Sequence, residues 1–285
     1  MTLPSPPTAT TTARIACFGE CMIELRDVGA GLLSPGFAGD TCNTAVYLSR
    51  LLKGRAPAVR YAMGVGSDGF ADGMRAFWRG EGLDDSLCRP IAGRSTGLYV
   101  IQLDAQGERH FSYWRDTSAA RAYFDGESSP LEQAAGEVDV LYFSGISLAI
   151  LPPAGRQRLL AVARRVRARG GWAVFDNNYR PRLWPEPAAA RQAFADAVAV
   201  ADLALISLDD WSALMGCTGD EQALQQVLAL PCPEVVVKRG AADTLVRVAG
   251  QDIATAPLQA LARPIDTTAA GDSFAAAYLA ARLLG

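Results

Sequence analysis

Residues 266–284 read DTTAAGDSFAAAYLAARLL. Asp266, Thr267 and Thr268 disfavour a helix interior, whereas the alanines, Leu279, Leu283 and Leu284 favour one, so a helix is predicted to start near Ala270 or Gly271. A helix start presents unpaired backbone N–H groups and the positive end of the macrodipole. Side chains as small as Ala269, Ala270 and Gly271 let an anion approach them. The one carboxylate at the junction is Asp272, expected in that field to stay ionised at neutral pH and so to be able to accept a proton. An ordinary N-terminal cap would also explain it, because aspartate is among the preferred cap residues. Taken alone, the string leaves both readings open.

Working back from this junction, apolar runs that read as strands alternate with runs that read as helices. ARIACFGECMIEL is an apolar strand that breaks at Gly19, TCNTAVYLSRLL a helix, VRYAMGVG a short strand and GFADGMRAFWRGEG a helix closed by glycine. DVLYFSGI, WAVFDNN and DLALISL read as buried strands, separated by the basic amphipathic run PAGRQRLLAVARRVRARGG and the helical ARQAFADAVAVA. DDWSALMG opens another helix, and EVVVKRG and DTLVRVAG read as strands around a glycine turn. Such alternation implies an α/β fold with a mostly parallel sheet covered on both faces. STGLYVIQLDAQGERHFSYWR breaks the rhythm: two β-rich runs flank the turn DAQGE, a hairpin signal. With the segment around residues 24–38, this stretch (about 96–118) is expected to form a small β lid on a single domain spanning 14–285. Residues 1–13 (MTLPSPPTATTTA) lack the apolar core of a signal peptide and read as a disordered tail.

Half of the 285 residues are hydrophobic, enough for a full core, and the net charge of −3 argues against a duplex nucleic-acid binder with its basic stripe. No apolar run approaches the roughly 20 residues that cross a bilayer. Six scattered cysteines with no C-x-x-C spacing read as reduced core thiols of a cytoplasmic protein, and a lone histidine, His110, leaves little room for a zinc site.

Four further stretches carry chemistry. GVGSDG (64–69) fits G-x-G-x-x-G between a strand and a helix and would suggest an NAD-dependent oxidoreductase with Asp84 or Asp85 on the ribose. Asp68 would then face a pyrophosphate, and the unit is the second strand–helix pair, so a tight turn is the plainer reading. AGDTCN (38–43) places Asp40, Thr41 and Asn43 at a helix start, where they either cap it or bind the hydroxyls of a polyol. YWR (113–115) and FDNNYRPRLW (175–184) supply Arg115 in the lid and Arg180 just past a strand's carboxyl end. That edge is where open α/β sheets bind ligands. Two guanidinium forks aimed at one cleft suit a carboxylate or phosphate, and two surface arginines packed flat are the alternative. VVVKRGAADT (235–244) puts Lys238, Arg239 and Gly240 at another strand end, either a nucleotide turn or a plain hairpin.

In this order the pieces resemble the ribokinase-like (PfkB) family of carbohydrate kinases, from about Ile15 to the last residue. DTTAAGDSF is similar to the family signature D-T-x-G-A-G-D-x-F, AGDTCN to its sugar-site signature and KRGAAD to its nucleotide turn. The resemblance implies a three-layer α/β sandwich with a β lid, ATP and Mg²⁺ as cofactors, and Asp272 as catalytic base. It implies an anion hole from the amides of Ala269, Ala270 and Gly271, with Lys238, Gly240, Ala269 and Gly271 on ATP. GECMIEL, GDTCNTAVYLSRL, YWRDTSAA and FDNNYRPRLW resemble a bacterial subgroup acting on a sugar acid. The implied acceptor is 2-keto-3-deoxygluconate, phosphorylated at its C6 hydroxyl. Its implied contacts are Gly39, Asp40, Asn43, Tyr99, Tyr113, Arg115, Arg180 and Asp272; a neutral sugar would give the two arginines nothing to neutralise. Kinases of fructose, ribose or a deoxy-keto-gluconate isomer stay open as alternatives, as does a catalytically silent sugar-acid binder.

The sequence departs from the family pattern in three places. Ala269 stands where glycine is usual, so its methyl must point away from the phosphate. The family's magnesium-associated N-x-x-E appears as Ser207-Leu208-Asp209-Asp210, leaving Asp210 to order metal-bound water. One helix follows Asp272 where the family usually adds a further helix and strand beside the nucleotide. The resemblance also implies self-association through the lid, on Val100, Ile101, Phe111 and Trp114.

Overall fold

A computed structural model describes residues 12–104, 109–249, 251, 253–257 and 268–285. The apolar runs form the strands of one eight-stranded sheet. Its order is Ala254–Ala256, Thr244–Val248, Glu234–Lys238, Leu203–Ser207, Trp172–Asp176, Val140–Ser144, Ile15–Phe18, Arg60–Ala62. The last six are parallel and the first two join antiparallel. Every residue of Ile15–Phe18, Val140–Ser144 and Trp172–Asp176 is buried. A parallel sheet with helices on both faces demands such unbroken apolar runs. From Ile15–Phe18 the chain goes first to Arg60–Ala62 on one side and later to Val140–Ser144 on the other. The carboxyl ends of these strands flank a topological switch point, where open α/β sheets leave a crevice.

Two helices close that crevice. Asp40–Leu52 packs on Ala270–Leu284, burying Thr41, Thr44, Ala45 and Leu48 on one and Ala275, Ala276, Leu279 and Leu283 on the other. Alanines along this seam let the axes approach closely, and each buried leucine contributes roughly 1.5–3 kcal/mol. The packing brings together chain segments more than 200 residues apart.

A second sheet, in the order Leu33–Ala38, Met22–Asp27, Leu98–Leu103, Arg109–Trp114, forms the lid. Its own small core is Met22, Tyr99 and Ile101. Ile101 is therefore interior, and among the described residues the lid's exposed large apolar side chains are Val28, Leu32, Leu33, Phe111, Tyr113 and Trp114. In the expected tail, residues 1–11 lie outside the described residues, and Ala13 is buried in the main core. Besides the one-turn Pro130–Gln133, two helices, Gly145–Ile150 and Asp220–Leu228, have no counterpart in the sequence reading. The last had a legible signal, since Ala223, Leu224, Val227 and Leu228 repeat at helical spacing.

GVGSDG is a closed turn. Asp68 accepts from the backbone N–H of Phe70 at 3.0 Å and of Thr96 at 2.5 Å. A methyl at Gly66 would lie 2.4 Å from Asp68 Oδ2, so no dinucleotide backbone fits there. Asp85 pairs with Arg75 and Arg79, and Asp84 accepts from Ser86 N–H. The oxidoreductase reading falls with these contacts.

Candidate active site

The last helix starts at Ala270, and its N-cap is Ala269, which makes no side-chain cap bond. Asp272 is the third helical residue, so it does not serve as the cap. Its Oδ2 instead accepts from Asn43 Nδ2 at 2.8 Å, 229 positions away. Among the described residues the helix start beside it is open: a methyl built at Gly271 would meet, beyond its own chain neighbours and helix backbone, one group, the Lys238 ammonium at 3.9 Å. The N–H groups of a helix start beside a lysine are chemically suited to receive an anion, here with a carboxylate at the edge. Ala269 reaches this geometry in the left-handed region, at φ 58°, a conformation that costs an L-residue about 1–2 kcal/mol.

Asp40 does not cap its helix either; the N-cap, Gly39, makes no side-chain bond. Asp40 Oδ2 accepts from Ser144 Oγ at 2.5 Å and from Asn178 Nδ2 at 2.8 Å, which ties the lid's return segment to two strand ends across the switch point. Gly39 is required by contact rather than by dihedral angle. At φ 175° its backbone is extended, but a Cβ would lie 2.1 Å from the Glu20 carbonyl oxygen. Asp176, at the end of Trp172–Asp176, holds Lys238 Nζ at 3.0 and 3.1 Å and accepts from the Tyr142 hydroxyl at 3.4 Å. The Glu234–Lys238 and Thr244–Val248 strands pair antiparallel around Gly240, at φ +58°. The turn is thus a hairpin whose first strand delivers Lys238 to the crevice.

Burial, then the neighbouring carboxylates Asp40 and Asp176, push Asp272 up from 3.8 to about 7, with the Asn43 hydrogen bond and Lys238 opposing. This corrects the expectation that the helix field alone keeps it ionised. Desolvation and like charge outweigh the dipole, and at neutral pH the group is near half protonated. Burial also pushes Asp40 and Asp210 up.

The two arginines differ. Arg115 is 6% exposed and donates through Nε and Nη2 to Glu20 Oε2, at 2.8 and 2.5 Å. Its charge is compensated inside the protein. Arg180 is half exposed and sits 3.4 Å from Asp210 Oδ2. The inference that a neutral sugar leaves both arginines unneutralised is thereby corrected, because each has a carboxylate of its own. Tyr113 is exposed and its ring lies 5.8 Å from that of Tyr99, whose buried hydroxyl donates to Glu24.

Asp210 accepts from Tyr179 N–H at 3.2 Å as well as from Arg180. Among the described residues, no group of three or more His, Cys, Asp or Glu side chains is disposed to hold a metal ion. The donors fit a hydrated Mg²⁺ that keeps its waters and phosphate ligands, not one caged by protein.

Sequence reasoning missed Asp176, Glu20, Ser144 and Asn178. Asp176 had a signal, a lone acid ending the apolar run WAVF. Glu20 and Ser144 had none, because nothing local marks their partners.

Comparison with known proteins bears on the family and the fold. Residues 12–285 match the pfkB family carbohydrate kinase description. The 2-dehydro-3-deoxygluconokinase of Dickeya dadantii (strain 3937) is 46% identical over 278 residues, covering 96% of this chain and 89% of the relative. That of Escherichia coli (strain K12) is 44% identical over 275 residues, covering 95% and 89%. Among solved structures, a PfkB protein from Polaromonas sp. JS666 superposes with a TM-score of 0.78 at 27% identity, covering 95% of this chain and 89% of that one. A fructokinase with bound ATP from Xylella fastidiosa gives 0.79 at 23% identity, covering 96% and 82%, a likeness of fold. With the crevice, the anion site and the β lid in place, the chain belongs to the pfkB family of carbohydrate kinases.

Proposed function

We propose that this kinase transfers the γ-phosphoryl group of ATP to the C6 hydroxyl of 2-dehydro-3-deoxy-D-gluconate, giving 2-dehydro-3-deoxy-6-phosphogluconate. The observation that carries the chemistry is the Asp272 carboxylate beside an open helix start with Lys238 nearby. The acceptor rests on relatives of that name at 36–46% identity. The sugar would lie between the lid and the crevice, against Gly39, Asp40, Asn43, Tyr99, Tyr113, Arg115 and Arg180. Lys238, Gly240, Ala269 and Gly271 would hold the ATP phosphates, and the amides of Ala269, Ala270 and Gly271 would meet the charge that develops on the transferring group.

The C6 oxygen attacks phosphorus, the bond to ADP breaks, and the hydroxyl proton passes to Asp272. The transition state is loose, so the protein supplies mainly position and charge neutralisation. An acid near 7 is a better base at neutral pH than an ordinary aspartate. Asn43 holds the carboxylate toward the crevice. Mg²⁺ bound with ATP would neutralise phosphate charge, and Asp210 would order its water. Arg180, whose contact with Asp210 is long and partly solvated, would take the substrate carboxylate. Arg115 would contribute hydrogen bonds with little net charge.

The protein is expected to work in the cytoplasm, in keeping with five buried, unpaired cysteines. No helix among the described residues is long and apolar enough to cross a membrane. The exposed apolar strip of the lid suits a second copy of the chain, which sedimentation would reveal as a dimer dissociated by Trp114→Glu. The deciding test of function is coupled ADP production on a panel of this acid, its 5-dehydro isomer, fructose and ribose. The expected result is the highest kcat/KM on 2-dehydro-3-deoxygluconate. Better turnover of a neutral sugar, or no ADP from any acceptor, overturns the proposal.

A further inference from the structure

The chain passes between the main sheet and the lid four times. It enters after Ile15–Phe18 through residues 19–21, returns after Leu33–Ala38 at Gly39, re-enters at Gly97 before Leu98–Leu103, and leaves after Arg109–Trp114 at Arg115. One residue touches all four passages. Glu20 lies in the first, fully buried. Its carbonyl oxygen presses on Gly39, where a Cβ would stand 2.1 Å away. Its Oε1 presses on Gly97, where a Cβ would stand 2.6 Å away, and its Oε2 accepts both hydrogen bonds from Arg115.

We propose that Glu20 is a positioning residue for phosphoryl transfer: its buried carboxylate pins the four lid crossings together and fixes the Arg115 guanidinium over the sugar. Three features support this role over plain packing. The pair is charged, with side chains 0% and 6% exposed, and a buried ion pair is weak evidence of stability but a means of fixing one arrangement. Glycines stand at both backbone contacts, where any side chain would displace Glu20. Among the described residues Oε1 has no hydrogen-bond partner, so the carboxylate's orientation depends on Arg115 and on the space left at Gly97. A substrate gripped by the lid therefore reads the state of Glu20 through Arg115. The inference rests on the sugar lying under the lid and not on which sugar it is.

Two variants approach the carboxylate from different sides. Glu20→Gln removes the charge and keeps the shape. Gly97→Ala leaves Glu20 intact and pushes its carboxylate aside, meeting otherwise Met22 Cγ at 3.1 Å, a contact that a shift of a few tenths of an ångström relieves, so it should fold even where Glu20→Gln does not. Each is assayed with whichever acceptor the unmodified enzyme turns over, so failure of the acid assignment is seen in the unmodified enzyme and leaves this test intact. The expected result is a rise in KM for the sugar of about tenfold, equivalent to about 1.4 kcal/mol, with KM for ATP within twofold. In an Arg115→Ala background, adding either change should have less than a threefold further effect, since the route through Arg115 is already gone. A packing role would lower the melting temperature or the active fraction and leave the sugar KM unmoved. Sugar KM within twofold of the unmodified enzyme in folded Gly97→Ala, or full additivity with Arg115→Ala, overturns the proposal.

Discussion

Replacing Asp272 with asparagine should make the enzyme nearly inactive and, above neutral pH, more stable. The side chain is partly buried beside Asp40 and Asp176, and its carboxyl is raised from 3.8 to about 7, burial being the largest cause. The folded state thus holds this proton more tightly than the unfolded chain does. Above pH 7 both states are ionised and the folded protein carries the whole penalty. Between about pH 7 and 4 the penalty fades, and below 4 both states are protonated and it is gone. At roughly 1.4 kcal/mol per pH unit, the gap amounts to about 4 kcal/mol as an upper figure. Local relaxation reduces that to about 2 kcal/mol, and a chain of this size shifts by about 2–4 °C per kcal/mol. Asparagine removes the charge and keeps an oxygen for Asn43 Nδ2. The expected melting temperature is therefore about 4–8 °C above that of the unmodified protein at pH 8.5, converging near pH 4. Turnover should fall at least about a hundredfold, the usual share of a general base, while both ligands still bind. Thermal melts of the two proteins from pH 4 to 8.5, beside a coupled ADP assay, measure both quantities. A melting difference that is negative or does not change with pH would refute the desolvated carboxylate, and near-normal turnover would remove Asp272 from the base role.

Four further outcomes follow from the same site. Because Asp272 titrates near 7, kcat/KM should fall about tenfold per pH unit below that value. Asp40→Asn should move this limb to lower pH by removing a like charge, and a limb that stays put would exclude coupling of the two acids. Arg180→Ala should lower kcat/KM on the sugar acid by about 10–100-fold, the worth of one hydrogen bond to a charged group, and on a neutral sugar by less than about threefold. Equal losses would take the substrate carboxylate away from Arg180. Ala269→Gly should raise stability by about 0.5–1 kcal/mol, since glycine adopts φ 58° without strain and gives back part of the gain as chain entropy. A lower melting temperature would show that the methyl packs usefully.

Local physics was legible in the sequence. Unbroken apolar runs such as VLYF and WAVF read as buried strands, alanine and leucine after Gly271 read as a helix, and the runs on either side of DAQGE, whose residues 105–108 lie outside the described residues, read as paired strands, because each preference acts between near neighbours along the chain. A helix start flanked by small residues and carrying Asp272 was visible for the same reason. Whether Asp40 and Asp272 cap their helices or serve the crevice was not decidable from the string, since both fates use the same residue types. Packing of Asp40–Leu52 on Ala270–Leu284 decided it by giving Asp272 to Asn43. Charges were the least legible part. Arg115 looked like a free cation and is half of a buried pair with Glu20, 95 positions away, and Asp176 looked like a strand end and holds Lys238. Asp272 looked ionised and is raised to about 7. Desolvation and Coulomb terms depend on what the folded chain places within a few ångströms, so the sequence by itself determined where most elements form and offered Asp40, Asn43, Lys238 and Asp272 for the crevice. The tertiary structure alone decided which of those side chains remain charged and free to act there.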